Sequence, residues 1–389
     1  MAARHDVHGL SVESDRRLGG GSAAGASRPH HRHLCAIRPR RGVGGLHPDP
    51  RHAPSRGADP REHPEFRQHS RRGRARAAGR PLCGAGGAAA LRAARPPPAT
   101  TGPTVHLVQP DIGQGERWAP ELSARHLARL EALSGIPGAR PRLILWPESA
   151  IEDNVQEEPA ARARLASILG PNDILLGGGE APIRDSKGEE IAARNSIFAI
   201  GAGGRLIARY DKAHLVPYGE YLPMRPLLEP IGISRLVPGV LDFIPGPGPR
   251  SIDLPGFGAV GMQLCYEMVF SGRVVDEAHR PAFIFNPSND AWFGPSGPVQ
   301  HLAQARLRAI EEGIPIARAT PTGVSALIDT DGRLLKSLPA HAMGMVELPM
   351  PPALPPTIFA RIGNWAVLLI ALLLGGLAFG ARRYKESFI

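Results

Sequence analysis

Three segments of this 389-residue chain end an apolar run on a side chain able to accept a proton, carry a charge or attack a carbonyl. They are Leu143-Ile-Leu-Trp-Pro-Glu148, Tyr210-Asp-Lys212 and Met262-Gln-Leu-Cys265. Strands that finish at one edge of a sheet deliver such side chains to a common cleft. A free thiol is mostly protonated at neutral pH, so it attacks a carbonyl only where a base takes its proton. A carboxylate desolvated behind Trp146 and Pro147 can be that base. A lysine ammonium, helped by backbone N–H groups after the cysteine, can stabilise the negative charge that develops on the carbonyl oxygen. Glu148, Lys212 and Cys265 therefore form a complete set for acyl transfer through a thioester. Taken singly, each has a plainer reading: a strand-end cysteine as a small buried hydrophobe, a lysine after Tyr-Asp as a solvated turn residue, a glutamate after Trp-Pro as a helix start.

The elements that must position these groups are legible from Thr104 onward. Strands are expected at Val105–Val108, Arg142–Trp146 and Asp173–Leu176, with amphipathic helices at Pro120–Leu133 and Ala160–Leu169 between them. A hairpin, Ser196–Ile200 and Arg205–Ala208, turns through Gly201-Ala-Gly-Gly204. A long Pro/Gly-rich excursion then runs from Pro217 to Pro255, a length that is usually functional or disordered. Order resumes with the strand into Cys265, a helix at Val269–Ala278, a strand at Ala282–Phe285 and a helix at Val299–Glu312. Short strands follow at Ile316–Ala319, Val324–Ile328 and Arg333–Ser337. Alternating strands and helices with hairpins indicate an α/β domain built on mixed sheets.

The order Trp-Pro-Glu148, Tyr-Asp-Lys212, Cys265-Tyr-Glu267 resembles the Glu-Lys-Cys triad of the carbon-nitrogen hydrolase (nitrilase) superfamily. Within it, the chain is most similar to the apolipoprotein N-acyltransferase family. The narrower motifs are Leu107-Val-Gln-Pro-Asp-Ile-Gly-Gln114 with Trp118, Val216-Pro-Tyr-Gly-Glu-Tyr-Leu-Pro223, Ser288-Asn-Asp-Ala-Trp-Phe-Gly294, Gly297-Pro-Val-Gln-His301 and the helix Ala305–Gly313. The resemblance, over residues 104 to about 381, implies a nitrilase-like α-β-β-α sandwich with catalytic Glu148, Lys212 and Cys265. It implies supporting roles for Glu220, near the triad, and for Tyr266 and Glu267, shaping the pocket, and substrate contacts from Trp118 and Trp292. It further implies N-acylation of lipoproteins: a membrane phospholipid gives its acyl chain to the cysteine, and the α-amino group of a diacylglyceryl apolipoprotein takes it, with no cofactor or metal. A monomer is expected. Two alternatives stay open, a membrane-tethered amidase or nitrilase that passes the acyl group to water, and a basic binding protein with an inert α/β scaffold.

Charge is distributed unevenly. Residues 1–100 hold 19 Arg, no Lys and 7 acidic residues, or +12, so the remaining 289 residues carry −2 of the net +10. This low-complexity Arg/Ala/Gly/Pro/His-rich stretch has no periodicity, Trp or Tyr, and is expected either to be disordered or to be the out-of-frame reading of a GC-rich gene in place of transmembrane helices. It lacks the aromatics that stack on bases, and nucleic acid is not an expected partner. His30, His31, His33 and Cys35 are too crowded for zinc spacing. No secretory signal is recognisable after Met1. Of Cys35, Cys83 and Cys265 only the last lies in patterned sequence, so that region has no internal disulfide. The expected catalytic domain, 104–348, is followed by a Pro-rich link and by residues 362–381, twenty without a charge. A helix of that length covers a hydrocarbon core of about 30 Å. Arg382, Arg383 and Lys385 directly after it put the C-terminus in the cytoplasm by the positive-inside bias, and the α/β domain on the periplasmic side of a bacterial inner membrane.

Overall fold

The computed structural model describes residues 99–386 apart from residue 118, residues 235–241 and residue 295. The expectations for the basic N-terminal stretch lie almost wholly outside the described residues, as do Trp118 and the side chain of Trp292.

Twelve strands form two six-stranded mixed sheets among the described residues. The first has the order β12 (Gly344–Pro349), β1 (Thr104–Gln109), β2 (Leu143–Leu145), β3 (Ile174–Arg184), β4 (Glu190–Gly201), β5 (Arg205–Asp211). Here β1, β2 and β3 run parallel, and the outer pairings are antiparallel. The second sheet repeats the plan with β11 (Leu334–Leu338), β10 (Ser325–Ile328), β9 (Ile316–Ala319), β8 (Phe283–Pro287), β7 (Gly258–Met262), β6 (Arg250–Leu254), where β7, β8 and β9 are parallel. Parallel strands require both faces covered, which explains their near-continuous apolar text.

Alternation of side chains along a strand sorts those residues into layers. Leu107, Leu145 and Leu176 are in register across three strands and pack with Val260, Met262, Phe283 and Phe285 of the other sheet in the central core. The intervening Val108, Ile144 and Leu175 face outward, against Leu130 of α1 (Ser123–Leu133) and Ala161 and Leu165 of α2 (Pro159–Leu165). On the second sheet Ile284, Ile316 and Ile328 meet Leu302, Ala305 and Ala309 of α3 (Gly297–Glu312). The result is the expected α-β-β-α sandwich.

Three segments differ from the sequence reading. No helix forms at Val269–Ala278: a 3-10 turn at Cys265–Val269 ends with extended Phe270, and the Asp276 carboxylate accepts from the amides of Ala278 and His279, a local turn that competes with helix. Within the excursion, Arg250–Leu254 is an edge strand paired with β7. Gly344–Pro349, beside the Pro-rich link, pairs with β1 as the opposite edge of the first sheet.

Beyond a short helix, Ile358–Ile362, which stops at Gly363 (φ 57°), runs α4 (Trp365–Glu386). Its Trp365–Tyr384 stretch has a mean hydropathy of 1.9 and no buried residue, and is long and apolar enough to cross a membrane.

Candidate active site

Glu148, Lys212 and Cys265 line one cavity of about 350 Å³, with Arg117, Glu180, Asn195, Glu220 and Asn289 among its other polar walls and Val216, Pro217, Phe243 and Phe293 among its apolar ones. The cavity opens where β2, β7 and β8 end at their C-termini, the edge at which a doubly covered sheet presents ligands.

Glu148 follows β2 by three residues. Trp146 is fully buried and its indole Nε1–H donates to Ser134 Oγ at 2.8 Å, which anchors the strand end from behind. Ser149, next along, adopts φ 52°. That sharp exit passes so close to β3 that a Cβ on Gly178 would lie 2.6 Å from Ser149 N and 2.7 Å from Glu148 Cα. The Arg117 guanidinium donates to the Glu148 and Ser149 carbonyls and clamps the same turn. The carboxylate itself is 6 % exposed: Oε1 accepts from Asn195 Nδ2 at 2.9 Å and Oε2 from the Asn289 amide at 2.8 Å.

Lys212 leaves β5 directly and is 1 % exposed. Its Nζ lies 3.0 Å from Glu220 Oε1 and 3.4 Å from Glu148 Oε1. Burial pulls the ammonium pKa down, but the carboxylates of Glu220 and then Glu148 outweigh it and hold the lysine above its ordinary value, so it stays charged. Glu220 is itself fixed by Asn195 Nδ2 at 2.7 Å and by the Val216 amide at 2.8 Å on Oε2. Asn195 thus donates to both carboxylates.

Cys265, directly after the extended Leu264, turns into left-handed backbone with φ 48°. For a non-glycine residue this costs about 1–2 kcal/mol. Its Sγ lies 4.0 Å from the Asn289 carbonyl. Burial, reinforced by the Glu148 carboxylate, pushes the thiol well above its usual pKa, and Lys212 offsets this only in part. At neutral pH the sulfur is a thiol, and losing its proton requires an acceptor in the same step.

Tyr266 and Glu267 are not among the residues lining the cavity. Tyr266 packs edge-on against Phe270, with ring centroids 5.1 Å apart. Glu267, 2 % exposed, ties together the strand ends that carry Lys212 and Cys265. Its Oε1 accepts from Tyr210 Oη at 2.7 Å, the Ala213 amide at 2.8 Å and the His214 amide at 3.3 Å, and its Oε2 from the Leu264 amide at 2.7 Å. Burial raises the pKa of this carboxyl, while the donors from Leu264, Tyr210 and Ala213 oppose the rise.

Sequence reasoning gave no role to Asn195, Asn289, Arg117 or His301. Asn195 lay just before the expected strand Ser196–Ile200; the structure extends that strand to Glu190–Gly201 and places Asn195 midway along it. Asn289 and His301 stood inside recognised motifs, but their partners are distant in sequence. His301, with Cys265 and Asp290, belongs to a buried group whose ligand-type atoms lie within 4.8 Å of one another, an arrangement that could suggest a metal. The donors are already engaged: Asp290 pairs with Arg318 and with His301 Nδ1 at 2.7 Å, and His301 Nε2 meets the Cys265 carbonyl at 3.0 Å.

A carboxylate, an ammonium and a thiol converging at the sheet ends of this sandwich accord with the sequence pattern of residues 104–353: the chain belongs to the carbon-nitrogen hydrolase family. Its curated relatives narrow the comparison. It is 38 % identical over 281 residues to the apolipoprotein N-acyltransferase of Bradyrhizobium diazoefficiens, covering 70 % of this chain and 52 % of that protein. It is 36 % identical over 280 residues to that of Rhodopseudomonas palustris, covering 69 % of this chain and 52 % of the relative. The chain therefore spans about half the length of the curated relatives it matches. Among solved structures it is similar to the amidase of Nesterenkonia sp. AN1 (TM-score 0.45, 19 % identity, 69 % of this chain and 97 % of that one) and to a nitrilase-superfamily protein of Saccharomyces cerevisiae (TM-score 0.44, 19 % identity, 64 % and 90 %).

Proposed function

We propose that the protein is an N-acyltransferase that moves a fatty acyl chain from a membrane phospholipid, through a thioester on Cys265, to the α-amino group of a diacylglyceryl-cysteine at the start of an apolipoprotein. The observation that carries this reading is the convergence of Glu148, Lys212 and Cys265 on one cavity with a partly apolar wall. The names of the curated relatives support the choice of substrate, and the exposed apolar helix α4 supports action at a membrane; Arg382, Arg383 and Lys385 after the span argue for a cytoplasmic C-terminus and a periplasmic catalytic domain.

In the first half-reaction the thiol proton passes to Glu148 as the sulfur attacks the ester carbonyl. Lys212, already cationic, faces the developing oxyanion together with the Tyr266 N–H that follows the nucleophile. Collapse of the intermediate expels the lysophospholipid alkoxide, which takes the proton back from Glu148. In the second half the amine attacks the thioester, Glu148 accepts a proton from it, and the thiol is regenerated as the amide forms. Glu220 and Asn195 hold Lys212 and Glu148 in place through both halves.

The test is incubation of the full chain, in mixed micelles, with a phospholipid bearing an isotopically labelled acyl chain and a diacylglyceryl-cysteinyl peptide. The label should appear on Cys265, then on the peptide amine, by mass spectrometry. Labelled free fatty acid in place of acylated peptide would mean that water is the acceptor and that the protein is a hydrolase.

A further inference from the structure

The buried network beneath Cys265 lies outside the steps above. His301, 7 % exposed in the second turn of α3, directs Nε2 at the Cys265 carbonyl oxygen, 3.0 Å away. A peptide carbonyl only accepts, so Nε2 carries a hydrogen and donates it. The ring's rotation is fixed on its other side, where Nδ1 donates to Asp290 Oδ1 at 2.7 Å, with Arg318 Nη2 3.3 Å away and held by the same carboxylate. Asp290 is fully buried and held by Arg318, whose Nη1 also donates to Asn286 Oδ1 at 2.7 Å and Ser288 Oγ at 2.8 Å. Burial works against a charge on Asp290, but Arg318 and His301 outweigh it and keep the carboxyl below its usual range. The imidazole is therefore gripped from behind and aimed at one peptide unit.

That unit is the link between Cys265 and Tyr266. A planar trans peptide points its N–H opposite to its C=O, so a carbonyl turned down to His301 turns the Tyr266 N–H away from it. Donation to the oxygen also polarises the whole unit and strengthens the N–H as a donor. The left-handed backbone of Cys265, φ 48°, needs such a fixed partner to persist.

We infer that His301 is a positioning residue for the oxyanion site: by holding and polarising the Cys265–Tyr266 peptide, it aims the Tyr266 N–H at the oxygen that becomes negative when Cys265 attacks a carbonyl. This rests on the thioester chemistry of the proposed function, but not on the identity of the acyl acceptor.

Two reactions of Cys265 separate this role from a merely structural one. Acylation by p-nitrophenyl butyrate passes through an oxyanion, with the S–C bond forming and p-nitrophenolate leaving. Alkylation by iodoacetamide displaces iodide at a saturated carbon and forms no oxyanion. The full chain in detergent is compared with its His301→Leu and His301→Gln variants, reading the p-nitrophenolate burst and the intact mass. His301→Leu should slow the burst about 10- to 100-fold and change alkylation by less than about threefold, and His301→Gln, which keeps an N–H donor, should regain at least about tenfold of the loss. If His301→Leu does not fold, His301→Phe, a ring without a donor, is read in its place. Parallel loss of burst and alkylation, or an unchanged burst, would overturn the inference while leaving the proposed function standing. A wild-type chain that gives no burst overturns both.

Discussion

Replacing Glu267 by Gln changes one oxygen for an NH2 group, yet the site leaves it no tolerable orientation. Both carboxylate oxygens face only donors: Oε2 the Leu264 amide, Oε1 the Tyr210 hydroxyl and the amides of Ala213 and His214. Either amide rotamer turns an N–H onto a backbone N–H, that of Leu264 in one and those of Ala213 and His214 in the other. The variant loses one or more charge-assisted hydrogen bonds, each contributing about 1.5–3 kcal/mol, and leaves a buried donor unsatisfied at a further cost of about 1–3 kcal/mol. Together these put the loss at about 3–5 kcal/mol. For a domain near 250 residues, each kcal/mol moves the midpoint by about 2–4 °C, so Tm should fall by roughly 10 °C. Because Ala213 adjoins Lys212 and Leu264 adjoins Cys265, the two strand ends should also lose their mutual alignment, and acyl transfer should drop by at least about tenfold. Scanning calorimetry and a single-turnover acylation assay on the same preparation read both effects. The companion Tyr210→Phe removes one donor and should cost about 1 kcal/mol, less than additively with Glu267→Gln. An unchanged Tm in Glu267→Gln would refute the account of this carboxylate as a clamp.

Lys212→Met should remove an oxyanion donor and lower turnover on the order of 100 to 1,000 fold, with the fold kept by circular dichroism. The same change takes away the cation that partly lowers the Cys265 pKa, so the thiol rises further and iodoacetamide alkylation at pH 8 should slow relative to wild type, recovering only as pH is raised. Cys265→Ser should abolish the covalent acyl adduct seen by mass spectrometry. Gly178→Ala drives a methyl group against Ser149 and Glu148, and should cost about 1–3 kcal/mol in denaturant melts while depressing acylation through the displaced base. Leu373→Lys with Leu374→Lys adds about 2.5–3.5 kcal/mol per charge to insertion of α4, and the carbonate-resistant membrane fraction should fall; no change in that fraction would contradict a spanning role.

The strands nearest the chemistry were legible because parallel strands buried on both faces leave continuous apolar text, as in Leu143-Ile-Leu145 and Phe283-Ile-Phe285. Glu148 stood out for the same reason, an ionisable group where apolar text stops, whereas Lys212 follows the antiparallel edge strand β5 and stood out only beside Glu148 and Cys265. Arg250–Leu254 did not stand out, since an edge strand of five residues with no regular alternation of exposure carries too little pattern. The expected helix after Cys265 failed because apolar spacing in Val269–Ala278 says nothing of the Asp276 side chain that satisfies local amides. Asn195, and the clamping role of Glu267, escaped for a different reason. Their roles consist of hydrogen bonds to residues 47 and 57 positions away, and no local window contains both ends.

The same separation governs how the protein becomes competent. The groups around Cys265 come from β2, β4, β5, the loop past β8 and the start of α3, so neither sheet alone contains a working centre. Contacts of such long sequence separation form late, after the entropy of closing large loops has been overcome. Refolding should therefore restore helical signals before reactivity of the sulfur at 265, and a half-assembled chain would be compact and inert.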